Sequence, residues 1–99
     1  MSKVTLISLG TINPIGQDDF KIYAEKAPNL LLQAGGTPVR KMKVHELIKG
    51  ENGPQTVFMM DFPSAEALKG VFDTEEYKAL IPHRDKAFSQ LTLLIAEEF

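Results

Sequence analysis

The chain has 99 residues, 43% of them hydrophobic and 24% charged, with 11 basic side chains against 13 acidic ones and no cysteine. That length suits a single domain over residues 1–99, at a size where burying surface against a second copy adds stability. A net charge of −2 offers no cationic field to nucleic acid or an anionic membrane, and the missing cysteines exclude disulfides, thiolate catalysis and Cys-ligated zinc.

The first run, VTLISL at residues 4–9, is short and rich in β-branched side chains, so it reads as a strand. It is too short for a signal-peptide core, and no stretch approaches the ~20 apolar residues of a membrane span. The expectation is a cytoplasmic protein. Residues 10–17 form a turn region with Gly10, Asn13, Pro14 and Gly16. From Asp18 the period changes. Phe20, Tyr23, Ala24, Ala27, Leu30, Leu31 and Ala34 recur at steps of three and four, one face of a helix. Asp18 and Asp19 suit its positive N-terminal end. Pro28 is expected to kink the helix or split it near Ala27, and Gly35 and Gly36 end it.

Residues 38–48 alternate charged and apolar positions and read as a second strand. Residues 49–54 turn, and residues 55–62 form a third strand that pairs with the second as a hairpin. Ser64 caps a second helix with Leu68, Val71 and Phe72 as its apolar stripe. Asp73 is expected to cap another helical piece, with Glu76 in capping-box position. Pro82 starts a further piece through about Phe88, and residues 91–97 are the last strand.

The order β-α-β-β-α-β predicts an α+β, ferredoxin-like fold: a four-stranded antiparallel sheet with its helices on one face. The second and last strands then lie at the edges, where Arg40, Lys41 and Lys43 discourage stray pairing. Val57, Phe58, Met59 and Met60 are consecutive, as are Leu93, Leu94 and Ile95, so both sheet faces call for burial. A homodimer formed through the open face is the simplest cover.

The chemistry-bearing residues are few. His45 and Glu46 are adjacent on a predicted strand and point to opposite faces, and no spaced metal-ligand set exists, so no metal is expected. No serine sits in a nucleophile elbow. The first strand lacks the aromatics of an RNA-recognition sheet, and no phosphate loop is present, so no nucleic acid is expected, nor any cofactor. His45 is either a solvated edge residue or a pocket base. Asp61, late in an apolar strand, is either salt-bridged or at an exposed strand end, or else a pocket acid. Arg84 falls in phase with Tyr77, Ile81 and Phe88 if the helix continues across Pro82. A guanidinium on that face needs a carboxylate, a carbonyl or a ligand anion. It is either an internal tie or, with Tyr77, the anchor of a small anionic or aromatic ligand. His83 and Asp85, two apart, do not form a dyad.

Three stretches, AGGTPVRK, DFPSAEAL and DTEEYKALIPHR, carry a resemblance to the domain of unknown function 1330 family. The shared features are Gly35-Gly36 before the second strand, Phe62-Pro63-Ser64 after the third, and Tyr77 followed at seven residues by Arg84. The resemblance implies a dimeric alpha-beta barrel, a homodimer with two sheets face to face. That superfamily also holds cofactor-independent monooxygenases, lactone isomerases and dehydratases, so the resemblance admits an enzyme, a ligand-binding dimer or a purely structural one. Ala34 stands where many relatives carry a histidine, and Val71 where many carry a tryptophan.

Overall fold

The computed structural model, described over residues 3–99, begins with strand β1 at Val4–Ile12. Helix α1 follows at Gln17–Gln33, then β2 at Thr37–Lys43 and β3 at Thr56–Phe62. Three short helices come next, α2 at Ala65–Phe72, α3 at Glu75–Lys78 and α4 at Ile81–Ala87, and β4 at Phe88–Ala96 closes the order. The four strands form one antiparallel sheet in the order β2-β3-β1-β4, so β2 and β4 are the edges, as the ferredoxin-like reading requires. Among the described residues, no helix is long and apolar enough to cross a membrane.

Register divides the sheet into two unlike faces. Val4 lies opposite Phe62, and Leu6 opposite Met60; all four are at most 6% exposed beneath the helices. Leu31 and Ala27 of α1, Leu68 and Val71 of α2, and Tyr77 and Leu80 complete that core. Full burial of a side chain such as Phe62 stabilises the fold by about 1.5–3 kcal/mol. On the other face, Ile7 lies between Met59 and Leu94, and Leu9 between Val57 and Thr92. Among the described residues, no helix covers this second layer, and Leu94 and Met42 remain 42% and 40% exposed.

Four expectations are corrected. Of the two outcomes expected at Pro28, the split near Ala27 does not occur: α1 runs unbroken from Gln17 to Gln33. One missing backbone donor is outweighed by the buried Ala27 and Leu31 on either side of the proline. Strand β2 stops at Lys43 instead of residue 48: Val44 N–H donates to Gln55 O at 2.7 Å, and β3 begins only at Thr56. The alternating pattern runs on, but a strand needs a partner, and Leu47 and Ile48 lie exposed. Thr74, not Asp73, caps α3: its Oγ1 accepts from Tyr77 N–H at 3.1 Å, while Asp73 closes α2. Finally, β4 starts at Phe88, because the chain turns straight from α4 into extended backbone there.

Candidate functional site

Helix α1 turns small side chains toward the sheet. Ala24, Ala27 and Pro28 of α1 and Ser8, Thr56 and Phe58 of the sheet line a cavity of about 840 Å³. Its walls are mostly apolar and aromatic, with Phe20, Phe58, Phe72, Phe88, Leu31 and Leu93 contributing. A few polar groups in an apolar hollow are the usual make-up of a small-molecule site. Lys41, Lys43 and Gln55 stand on its β2 side. Among the described residues, the ionisable lining groups are Tyr23, Tyr77, Lys41 and Lys43, with no carboxylate.

Two tyrosines supply the interior polar point. Tyr23 from α1 and Tyr77 from α3 bring their hydroxyls to 2.7 Å, with the rings edge to face at 6.2 Å between centroids. Phe72 packs edge-on against Tyr77 at 4.8 Å, and Phe88 against Tyr23 at 5.9 Å, which holds both rings in place. Behind them stands Arg84. Its Nη1 donates to the Tyr77 hydroxyl at 3.2 Å, and its guanidinium lies 5.8 Å from the centre of the Tyr77 ring. Its Nε donates to Asp85 at 3.2 Å.

Burial pushes the Tyr23 hydroxyl far above the ordinary tyrosine range, and its hydrogen bond with Tyr77 adds to the rise. Tyr23 therefore stays neutral and keeps its proton. Partial burial alone lowers the Arg84 pKa, but its bonds to Tyr77 and Asp85 outweigh that and leave it raised. Arg84 is a permanent cation at the back of a two-tyrosine chain.

The structure brings Tyr77 and Arg84 together, but not along one helix: α3 ends at Lys78, α4 begins at Ile81, and Phe88 already belongs to β4. The anion beside Arg84 is Asp85 of this chain, and Arg84 does not line the large cavity. It borders a smaller cleft of about 490 Å³ with Ser89 and Gln90. His45 and Asp61 are not drawn into either space. His45 lies exposed beyond the end of β2. Asp61 sits on the open sheet face, accepting from Thr5 Oγ1 at 2.7 Å and paired with Lys3 Nζ at 3.2 Å. His83 Nδ1 meets Asp19 at 2.8 Å and ties α4 to the start of α1. Among the described residues, no cluster of three or more His or acidic side chains suits a metal. Tyr23 is the group that sequence reasoning passed over. A tyrosine in an apolar helical stripe was the available signal, because a buried phenol needs a partner.

A protein-family model described as a domain of unknown function, DUF1330, matches residues 8–99. No curated protein sequence matches. Among solved structures, a protein of unknown function from Rhodopseudomonas palustris superposes with a TM-score of 0.85 at 17% identity, over 99% of this chain and 83% of that one. A DABB-family protein with a ferredoxin-like fold from Mesorhizobium loti gives 0.70 at 14% identity, covering 100% and 99% of the two chains. An ethyl tert-butyl ether d (EthD) family protein from Bacillus halodurans gives 0.65 at 24% identity, covering 98% and 99%. At these identities the likeness is one of fold.

Proposed function

We propose that this chain, which belongs to the DUF1330 family, binds a small aromatic or otherwise apolar molecule between α1 and the sheet. The carrying observation is the hydrogen-bonded pair Tyr23–Tyr77 in the wall of a largely apolar cavity, with Arg84 behind it. A guanidinium only donates, so Tyr77 oxygen accepts from Arg84. When Tyr77 in turn donates to Tyr23, the Tyr23 proton is free for an oxygen acceptor on the ligand. The guanidinium polarises the whole chain and strengthens that last bond. A carbonyl or phenol oxygen on an aromatic body is the matching ligand chemistry.

The reading as a proton-transferring enzyme, of the cofactor-independent monooxygenase or isomerase type, has less behind it. It needs a base in the cavity, and the phenol there is held protonated. His45 and Asp61 lie elsewhere. We also propose that the chain works as a homodimer in the cytoplasm, with the open face of Ile7, Met59 and Leu94 covered by a second copy.

The test uses acetylnaphthalene and ethylnaphthalene, which share an aromatic body and differ by one carbonyl. Ligand-observed NMR should show both binding, the ketone more tightly. Tyr23→Phe should lower ketone affinity by about fivefold and leave the hydrocarbon unchanged, as expected for the loss of one buried hydrogen bond. Absence of binding by both compounds would overturn the proposal.

A further inference from the structure

We infer that the cavity prefers an anionic amphiphile and holds it head outward, with the charged group at Lys41 and Lys43 and the apolar body against the aromatic walls. This rests on the cavity reading above and adds the charge and the orientation of the ligand. Register places the two lysines. Lys41 is paired with Phe58 and Lys43 with Thr56, and both partners share a face of β3 with the buried Met60, so both lysines rise from the helix-facing side of β2, and both line the cavity. Arg40, paired with Met59, rises from the other side. Among the described residues, neither lysine has a carboxylate within ion-pair distance.

Charge decides the orientation. Among the described residues, no acidic side chain lines the cavity to repel an anion. The inner polar point is a neutral phenol pair, and the cation behind it is engaged by Asp85 and does not reach the space. A full negative charge pushed against Tyr23 would lose its water without gaining a counterion, which is costly. At the β2 edge, where the lysines are exposed, the same charge stays partly hydrated and meets two ammonium groups. Protection of an edge strand accounts for basic residues along β2 in general. It does not require two of them to share the lining of an apolar hollow.

Two fluorescent probes separate the terms. Anilinonaphthalenesulfonate and the uncharged phenylnaphthylamine have one aromatic body and differ by the sulfonate. Both should bind the whole protein, acetylnaphthalene should displace both, and the sulfonate should bind more tightly at low salt. The double change Lys41→Gln with Lys43→Gln should weaken the sulfonate by about three- to tenfold, as for two exposed charge pairs, and leave the neutral probe unchanged. High salt should reproduce that loss in the unaltered protein. If the neutral probe binds but the sulfonate gains nothing from charge, the orientation is wrong and the cavity reading stands. If neither probe binds, or acetylnaphthalene displaces neither, both readings fall.

Discussion

The double glycine at Gly35-Gly36 shows how two identical residues answer different demands. Gly35 has φ +99°, a backbone conformation open to glycine and strained for other residues. Gly36 has the opposite problem of space: a Cβ there would come within 2.8 Å of Leu31 O and of the Phe62 ring, and would strike the Met60 sulfur. Backbone and a fully buried phenylalanine cannot yield cheaply. Gly36→Ala should cost about 1–3 kcal/mol in chemical denaturation. Gly70→Ala, inside α2 with nothing within 4 Å of the added carbon, should stabilise by about 0.5–1 kcal/mol and serves as the control.

Asp61 makes a second prediction at this scale. The Thr5 hydroxyl, and after it Lys3, holds its carboxyl below the ordinary value of 3.8. A depressed folded pKa means the unfolded chain takes up the proton first as pH falls. The contribution to stability is therefore fully present above pH 3.8 and is lost as pH drops through the lower folded value. Thermal melts from about pH 5 to about pH 2 should show a shallower acid decline in Asp61→Asn than in the unaltered protein. Equal slopes would mean that Thr5 and Lys3 do not stabilise the ionised form.

At the scale of elements, the segment between β3 and β4 is cut into three short helices, and each cut has a chemical cause. Ser64 Oγ accepts from Ala67 N–H at 3.1 Å and opens α2. Thr74 acts twice: Oγ1 accepts from Tyr77 N–H and donates to Val71 O at 2.7 Å, joining the end of α2 to the start of α3. Pro82 lies in the first turn of α4, where its missing N–H leaves no helical bond unmade. Ser64→Ala should cost about 1 kcal/mol. Thr74→Ala should cost more, because a bond to the preceding helix goes with the cap, and it should loosen Tyr77, whose backbone it holds. A lower melting temperature together with weaker acetylnaphthalene binding in Thr74→Ala, against a stability loss alone in Ser64→Ala, is the expected pattern.

At the scale of the whole molecule, the two sheet faces are unlike. The helix-facing side carries both the core and the cavity, and the row Met59–Ile7–Leu94 on the far side lacks a helical cover. Under the homodimer proposal, light scattering at micromolar concentration should give twice the chain mass, and Met59→Lys should give a monomer with the cavity intact. An unaltered protein that runs as a monomer would remove the proposal without touching the cavity, since no cavity wall is drawn from Ile7, Met59 or Leu94.

Much of this architecture is legible in the chain itself. Strand and helix periods, the cap at Ser64, the turn at Gly35-Gly36 and the element order depend on neighbours within a few residues, and these local rules were sufficient for a four-stranded ferredoxin-like sheet with β2 and β4 at its edges. The pairing of Tyr77 with Arg84 was also expected from spacing, but two successive helices and not one bring it about. What local rules could not supply was partnership at a distance. Strand β2 ends where β3 runs out, although its pattern continues toward His45. Asp61 is neutralised by Lys3, 58 positions away in the chain. Tyr23 becomes a polar point only because the fold carries it to Tyr77, 54 residues on, and the cavity beside them exists because Ala24 and Ala27 are too small to fill the space above the sheet. Periodicity assigns a residue to a face. Only packing decides whether that face closes on a side chain, a partner or an empty volume.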